Sequence, residues 1–169
     1  MKLQTIDKAL YRKRLNILIV SSIIILLVAS LSVSNILITL FSAELDDNFW
    51  LNVAGVVAGI AALGLMFKIL AGNPFMAEVN YVWTLKKELN RIYRNTKKVE
   101  RGVEDNNKIA LIISYFNLQG SKQVYELDNN TLTLDELKQR IEKLDEQIAK
   151  LGLDISADDY SLALLERLD

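Results

Sequence analysis

Leu15-Asn16-Ile17-Leu18-Ile19-Val20-Ser21-Ser22-Ile23-Ile24-Ile25-Leu26-Leu27-Val28-Ala29 opens a run of 29 residues, between Arg14 and Glu44, that carries no charge. A bilayer core needs about 20 apolar residues as helix, and a soluble core helix rarely stays uncharged that long. The run predicts a transmembrane helix over 15–41. A cleaved signal peptide is the competing reading, because the flank before it is basic. The apolar part of such a signal spans only about 7–15 residues, and here a second apolar segment follows at once.

That second segment holds no charge from Asn48 to Phe67, 20 residues rich in Ala, Gly, Val and Leu. It predicts a second span over 49–70, with Lys68 near its end where a long stem reaches the headgroups. Gly72-Asn73-Pro74 then interrupts the pattern, with Asn73 placed as an N-cap and Pro74 as the first residue of the next helix. Residues 42–48 join the spans so tightly that the two helices must run antiparallel.

The flanks set the orientation. Residues 1–14 carry Lys2, Lys8, Arg12, Lys13 and Arg14 against Asp7, and the connection carries Glu44, Asp46 and Asp47 with no base. Lys68, Lys86, Lys87, Arg91, Arg94, Lys97, Lys98 and Arg101 follow the second uncharged stretch. The positive-inside rule then places the basic N-terminus 1–14 and the region 74–169 in the cytoplasm, and the acidic loop outside. Phe41, Phe49 and Trp50 fit an outer aromatic belt, Tyr11 and Phe75 an inner one.

Inside the spans, Gly55-x-x-x-Gly59 with Ala54, Ala58 and Ala62 forms a small-residue face, and Ser30 and Ser34 offer the same spacing on the first span. Small residues let helix backbones approach closely in lipid. The face serves either packing within one hairpin or contact with a second copy. Asn35 and Asn52 stand almost symmetrically about the loop, so an antiparallel hairpin brings them to similar depth. An unpaired amide in hydrocarbon is costly, which predicts that they face each other or together face a second hairpin. Ser32 and Thr39 extend the polar stripe of Asn35, as a water-lined pore would require, but no intramembrane charge accompanies them.

Beyond Pro74 the pattern becomes amphipathic. Val82, Leu85, Leu89, Ile92, Thr96, Val99 and Val103 recur at three and four, predicting a helix over 75–101, about 40 Å long at 1.5 Å per residue. Gly102 and Glu104-Asp105-Asn106-Asn107 break it. A further helix starts near Asn107 with Ile109, Ile112, Ile113, Phe116, Val124 and Leu127 on its face; Gly120 inside it means either a bend or a closely packed neighbour. Asp128-Asn129-Asn130 reads as a turn, and Thr133 with Glu136 as a capping box. Leu134, Leu137, Ile141, Leu144, Ile148 and Leu151 form another seam that Gly152 stops, and Ser156 caps a last short helix. No stretch alternates with period two, so the fold class is all-α: a transmembrane helical hairpin followed by a small cytoplasmic helical bundle. The seams suit either an intramolecular bundle or an intermolecular coiled coil. Residues 104–169 hold seven bases and 14 acids, whereas the stretch Lys86–Arg101 next to the bilayer is basic and suited to anionic lipid headgroups.

The 169 residues include no Cys, no His and one Pro, with a net charge of −1. Disulfides, thiolate chemistry and Cys-type zinc sites are excluded, and so is the usual imidazole base. The near-neutral balance argues against nucleic-acid binding. The glycines are scattered, so no phosphate-cradling loop exists, and Asp105-Asn106-Asn107 and Asp128-Asn129-Asn130 lack full calcium-loop spacing. No catalytic, cofactor or metal constellation is expected.

Met1-Lys2-Leu3-Gln4-Thr5-Ile6-Asp7-Lys8, Tyr11-Arg12-Lys13-Arg14-Leu15-Asn16, the junction Asn73-Pro74-Phe75-Met76-Ala77-Glu78-Val79, Trp83-x-Leu85-Lys86-Lys87-Glu88-Leu89-Asn90-Arg91-Ile92-Tyr93, Tyr115-Phe116, Gly120-Ser121-Lys122-Gln123 and Leu127-Asp128-Asn129-Asn130-Thr131 stand in an order found elsewhere. Over nearly its whole length the chain resembles the uncharacterised two-span gammaproteobacterial inner-membrane family called domain of unknown function 3087. The resemblance implies a bacterial inner-membrane location and supplies no activity. The expectation is a non-enzymatic, membrane-anchored interaction or scaffold protein whose partners are another membrane protein or a second copy. Gly55, Gly59, Asn35 and Asn52 are its contact positions in lipid, and Tyr115, Phe116 and Gly120 those in the cytosol. The alternative is an oligomeric channel or transporter-accessory subunit lined by Ser32, Asn35, Thr39 and Asn52.

Overall fold

The computed structural model describes residues 1–41, 47–130 and 133–168. The acidic loop expected at 42–48 therefore lies outside the described residues over 42–46, as do Thr131, Leu132 and Asp169. All regular structure among the described residues is helical: α1 (Lys8–Phe41), α2 (Phe49–Leu70), a 3₁₀ turn (Pro74–Met76), α3 (Ala77–Arg94), α4 (Thr96–Glu104), α5 (Lys108–Asp128), α6 (Leu134–Lys150), a second 3₁₀ turn (Ala157–Asp159) and α7 (Leu162–Glu166). The chain divides into two compact units, Ala9–Val79 and Met1–Lys8 with Asn80–Asp169.

In the unit Ala9–Val79, α1 and α2 are long and apolar enough to cross a membrane. Their contacts run antiparallel: Asn52 meets Ser34, Gly55 meets Ser30 and Ser34, and Gly59 meets Ser30 and Leu26. Asn73 caps the 3₁₀ turn, its side-chain oxygen accepting from the Phe75 N–H at 2.8 Å, with Pro74 in the first helical position. Most exposed large apolar side chains of the described residues belong to these two helices, among them Ile23, Leu27, Leu31, Val57, Ile60 and Leu65; elsewhere only Trp83, Tyr93, Leu151 and Leu162 are exposed.

The other unit is a bundle around α5. Ala110, Leu111, Ile112, Ile113, Phe116, Leu118, Gly120, Val124 and Leu127 bury α5 on nearly every side, the mark of a central helix. It packs against α4, α6, α7 and the second 3₁₀ turn. Tyr81, Val82, Leu85 and Ile92 of α3, Val99 of α4 and Leu137, Leu144 and Ile148 of α6 are the buried sides of their helices. These seam positions are therefore buried within one chain, as an intramolecular bundle has them.

Three local expectations are corrected. The helix expected over 75–101 is interrupted at Asn95, whose side-chain amide donates to the Arg91 carbonyl at 2.9 Å and whose backbone leaves the helical region. Gly102 does not end a helix. It continues α4, and its missing side chain admits Ala110, whose Cβ would stand 2.6 Å from an added one. The stop comes at Asn106, with φ 56°. Thr133 precedes α6 without a side-chain cap bond, so the capping box is absent there. One forms instead at Ser156, which accepts from the Asp158 N–H, while Asp159 accepts from the Ser156 N–H at 2.7 Å. Gly152, at φ 63°, does terminate α6, a conformation that glycine adopts without steric cost.

Candidate functional site

The four expected membrane positions fall out unequally. Gly55 and Gly59 are buried against α1. A Cβ at Gly55 would stand 2.6 Å from the Ser30 carbonyl oxygen and 2.8 Å from Ser34 Cβ; one at Gly59 would collide with the Ser30 hydroxyl and approach the Leu26 carbonyl oxygen to 3.0 Å. Gly55 and Gly59 are thus occupied within the hairpin, while Ala54 is exposed. Asn52 is bonded by Ser34, whose hydroxyl donates to Oδ1; Asn35 is not its partner. The side chain of Asn35 is exposed, with no hydrogen bond among the described residues, and only its carbonyl is used, by Thr39 at 2.8 Å. The near-symmetry about the loop matched depth along the helices but not azimuth around α1, where Ser34 and Asn35 differ by about 100°.

At the opposite end of the hairpin lies a contact that charge counting missed. The Arg14 guanidinium donates to the Pro74 carbonyl at 2.9 Å and to the Glu78 carboxylate, and stands 5.6 Å from the centre of the Phe75 ring. Both ion-pair partners are largely shielded from solvent. One arginine thus ties the start of the first apolar run to the end of the second. Its signal in the sequence was the abrupt border of each run.

Of the expected cytosolic contact positions, Phe116 and Gly120 are buried and Tyr115 is half-buried. Phe116 is wholly buried and stacks on Tyr160 with centroids 4.1 Å apart and planes 13° from parallel. Tyr115 packs beside Leu111, Leu118, Leu137, Leu144 and Ile148. Gly120 lets α3 come close, an added Cβ lying 3.1 Å from Leu89 Cδ2 and 3.2 Å from Leu85 Cδ1. A packed neighbour, not a bend, explains that glycine. Burial pushes the Tyr160 phenol up to about 12, helped by the negative charge of Glu88 and by the bond its hydroxyl donates to that carboxylate.

The N-terminal segment is built into the same bundle. The Gln4 N–H donates to the Tyr81 hydroxyl at 2.8 Å, that hydroxyl donates to Gln123 Oε1 at 2.8 Å, and the Gln123 amide donates back to the Gln4 carbonyl at 2.5 Å. Lys2 pairs with Asp158 at 3.3 Å. This closed ring joins residues up to 119 positions apart and was invisible to spacing arguments.

Among the basic residues of α3 and α4, Lys86 is paired with Asp128 at 2.7 Å and Arg91 with Glu88 at 2.6 Å. Lys87, Arg94, Lys97, Lys98 and Arg101 are exposed without an ion pair among the described residues. A groove of about 360 Å³ runs between α4, α5 and α6, floored by Val99, Leu118 and Leu144. Among the described residues no three acidic side chains gather as a metal site would need.

The family model described as Protein of unknown function (DUF3087) matches residues 1–165. No curated protein and no solved structure matches the chain.

Proposed function

The chain belongs to the DUF3087 family, and from its own physical chemistry we propose that it is a non-enzymatic, membrane-anchored interaction protein of the bacterial inner membrane, with both termini cytoplasmic. The observation that carries this is the exposure of α1 and α2. The exposed Ile, Leu and Val on them are 44–69% exposed, so each forgoes about half of the 1.5–3 kcal/mol of full burial, a total that water does not supply and lipid does.

Parity supports the topology. Residues 1–7 precede α1, residues 80–168 follow α2, and both belong to one compact unit tied by the Gln4–Tyr81–Gln123 ring. Two crossings return the chain to its starting side, and the basic flanks make that side the cytoplasm. The same ring weighs against a cleaved leader, since cleavage would strip Leu3 and Gln4 from the bundle. The inner-membrane assignment rests on the family resemblance.

With Gly55, Gly59 and Asn52 engaged inside the hairpin, the outward face of α1 at Asn35 is the place for a partner helix in lipid. The channel reading keeps Ser32, Asn35 and Thr39 but loses Asn52 to Ser34. The test is epitope accessibility in intact spheroplasts, with tags before Met1 and after Asp169, together with alkaline carbonate extraction and photo-crosslinking from position 35. Protected tags, resistance to extraction and one recurrent crosslinked protein are expected. A C-terminal tag reachable from outside, or a chain released without detergent, overturns the proposal. Ion flux in liposomes that Asn35→Leu alters would favour the channel.

A further inference from the structure

We propose that the outer face of α3 and α4 docks on an anionic phospholipid surface, with Trp83 as its aromatic anchor; this rests on the membrane-spanning reading of α1 and α2. Trp83, Lys87, Asn90 and Arg94 follow one another at spacings of three and four along α3, opposite the buried Val82, Leu85 and Ile92. On α4, Lys97, Lys98 and Arg101 are exposed while Val99 points inward.

Three properties set this face apart. First, its charge is unspent: Lys87, Arg94, Lys97, Lys98 and Arg101 make no ion pair among the described residues, whereas the flanking Lys86 and Arg91 are neutralised by Asp128 and Glu88. Second, Trp83 is 71% and Tyr93 75% exposed in a unit whose other aromatic side chains are at least partly buried. A tryptophan held in water beside bases suits the headgroup layer, where its amphipathic ring is at home. Third, at the α3–α4 corner the surface dips, a hollow of about 490 Å³ lined by Tyr93, Arg94, Thr96, Lys97, Lys98 and Glu100. Its three cations, Arg94, Lys97 and Lys98, outnumber its one carboxylate, Glu100, and suit a phosphodiester headgroup.

Charge complementarity and tethering select the occupant. Trp83 stands 13 residues beyond Leu70, the last residue of α2, and at no more than 3.6 Å per residue the chain tethers it within about 47 Å of the point where α2 ends. An anionic leaflet is therefore present at high effective concentration. Of the acids on α4, Glu104 borders the groove toward α6, while Glu100 borders both that groove and the corner hollow.

The test uses the full chain in nanodiscs with Trp50→Phe, which leaves Trp83 as the sole tryptophan. Discs contain phosphatidylcholine alone or an equimolar mixture with phosphatidylglycerol. Acrylamide and headgroup-brominated lipid quench Trp83 from water and from the membrane respectively. In the anionic discs Trp83 is expected to be shielded from acrylamide and quenched by the bromolipid, and molar salt, which shortens the screening length to about 3 Å, reverses both. Each of Lys87→Ala, Arg94→Ala and Lys98→Ala should lower the docked-to-undocked ratio about fivefold, while Lys86→Ala leaves it unchanged. Equal acrylamide access in both lipids, with the chain still resistant to carbonate extraction, overturns the docking and spares the spanning reading. Loss of the chain from the discs overturns both. Shielding that arises in phosphatidylcholine alone and grows with protein density replaces the lipid by a second copy and also overturns the proposal.

Discussion

Replacing Gly55 by Ala tests the hairpin contact, with Gly64→Ala on the same helix as its reference. Both changes gain the same helix propensity, up to about 1 kcal/mol, so their difference isolates packing. At Gly64 an added Cβ meets nothing within 4 Å. At Gly55 it meets the Ser30 carbonyl oxygen at 2.6 Å, Ser34 Cβ at 2.8 Å and the Ser34 nitrogen at 3.0 Å. None of these atoms belongs to a rotatable side-chain end, so α1 and α2 must separate, stretching the Ser34–Asn52 bond as they do. Overpacking of this kind costs about 1–3 kcal/mol, which is about 5- to 150-fold in the packed-to-separated equilibrium. The chain has no cysteine, so dyes on Lys13→Cys and Lys68→Cys report the hairpin ends by energy transfer during SDS titration in mixed micelles. Gly55→Ala should separate at distinctly lower SDS than the parent, and Gly64→Ala at the same SDS or higher. Coincident transitions for the two variants would refute the close approach at Gly55.

Ser34→Ala removes the donor to Asn52 and should lower hairpin stability in the same titration by about 0.6 kcal/mol, the mean for such bonds in membranes; Asn35→Ala should cost less, and the reverse order would contradict the pairing. Tyr81→Phe opens the Gln4–Tyr81–Gln123 ring at a cost of about 1 kcal/mol, so amide exchange at residues 3–6 should quicken about fivefold; unchanged exchange would show that the segment is held some other way. Because Tyr160 ionises near 12 when folded and near 10 when unfolded, its contribution is fully present below pH 10 and is lost between pH 10 and 12. Melting curves in detergent should show that loss, about 2–3 kcal/mol, shrink in Tyr160→Phe, and an identical pH profile in the two proteins would argue against a buried neutral phenol.

What the sequence by itself determined is what depends on neighbours along the chain. Charge-free runs at least as long as a bilayer core mark α1 and α2 because the solvent preference of a helix is a sum over consecutive residues. The cap at Asn73 was legible because a cap bond reaches only two or three positions on, and the seams of α3 and α6 because helix periodicity fixes which residues share a side. The same locality misled at Asn95, where one amide turning back on Arg91 ends a helix inside an unbroken apolar pattern, and at Gly102, where a residue that weakens helices was retained for what packs on it.

Only the tertiary structure decided who meets whom. Periodicity says that a face is covered, not by what, so Tyr115, Phe116 and Gly120 read as available surface until Tyr160, α6 and α3 covered them. Asn52 took Ser34 rather than Asn35 because pairing across two helices depends on azimuth, and one residue turns a side chain by about 100°. The Arg14–Glu78 tie, the clasp on residues 1–4 and the unspent bases of α3 and α4 likewise depend on which distant charges and amides come within reach. A one-dimensional pattern carries the free energy of leaving water; the distances between remote groups exist only once the helices have packed.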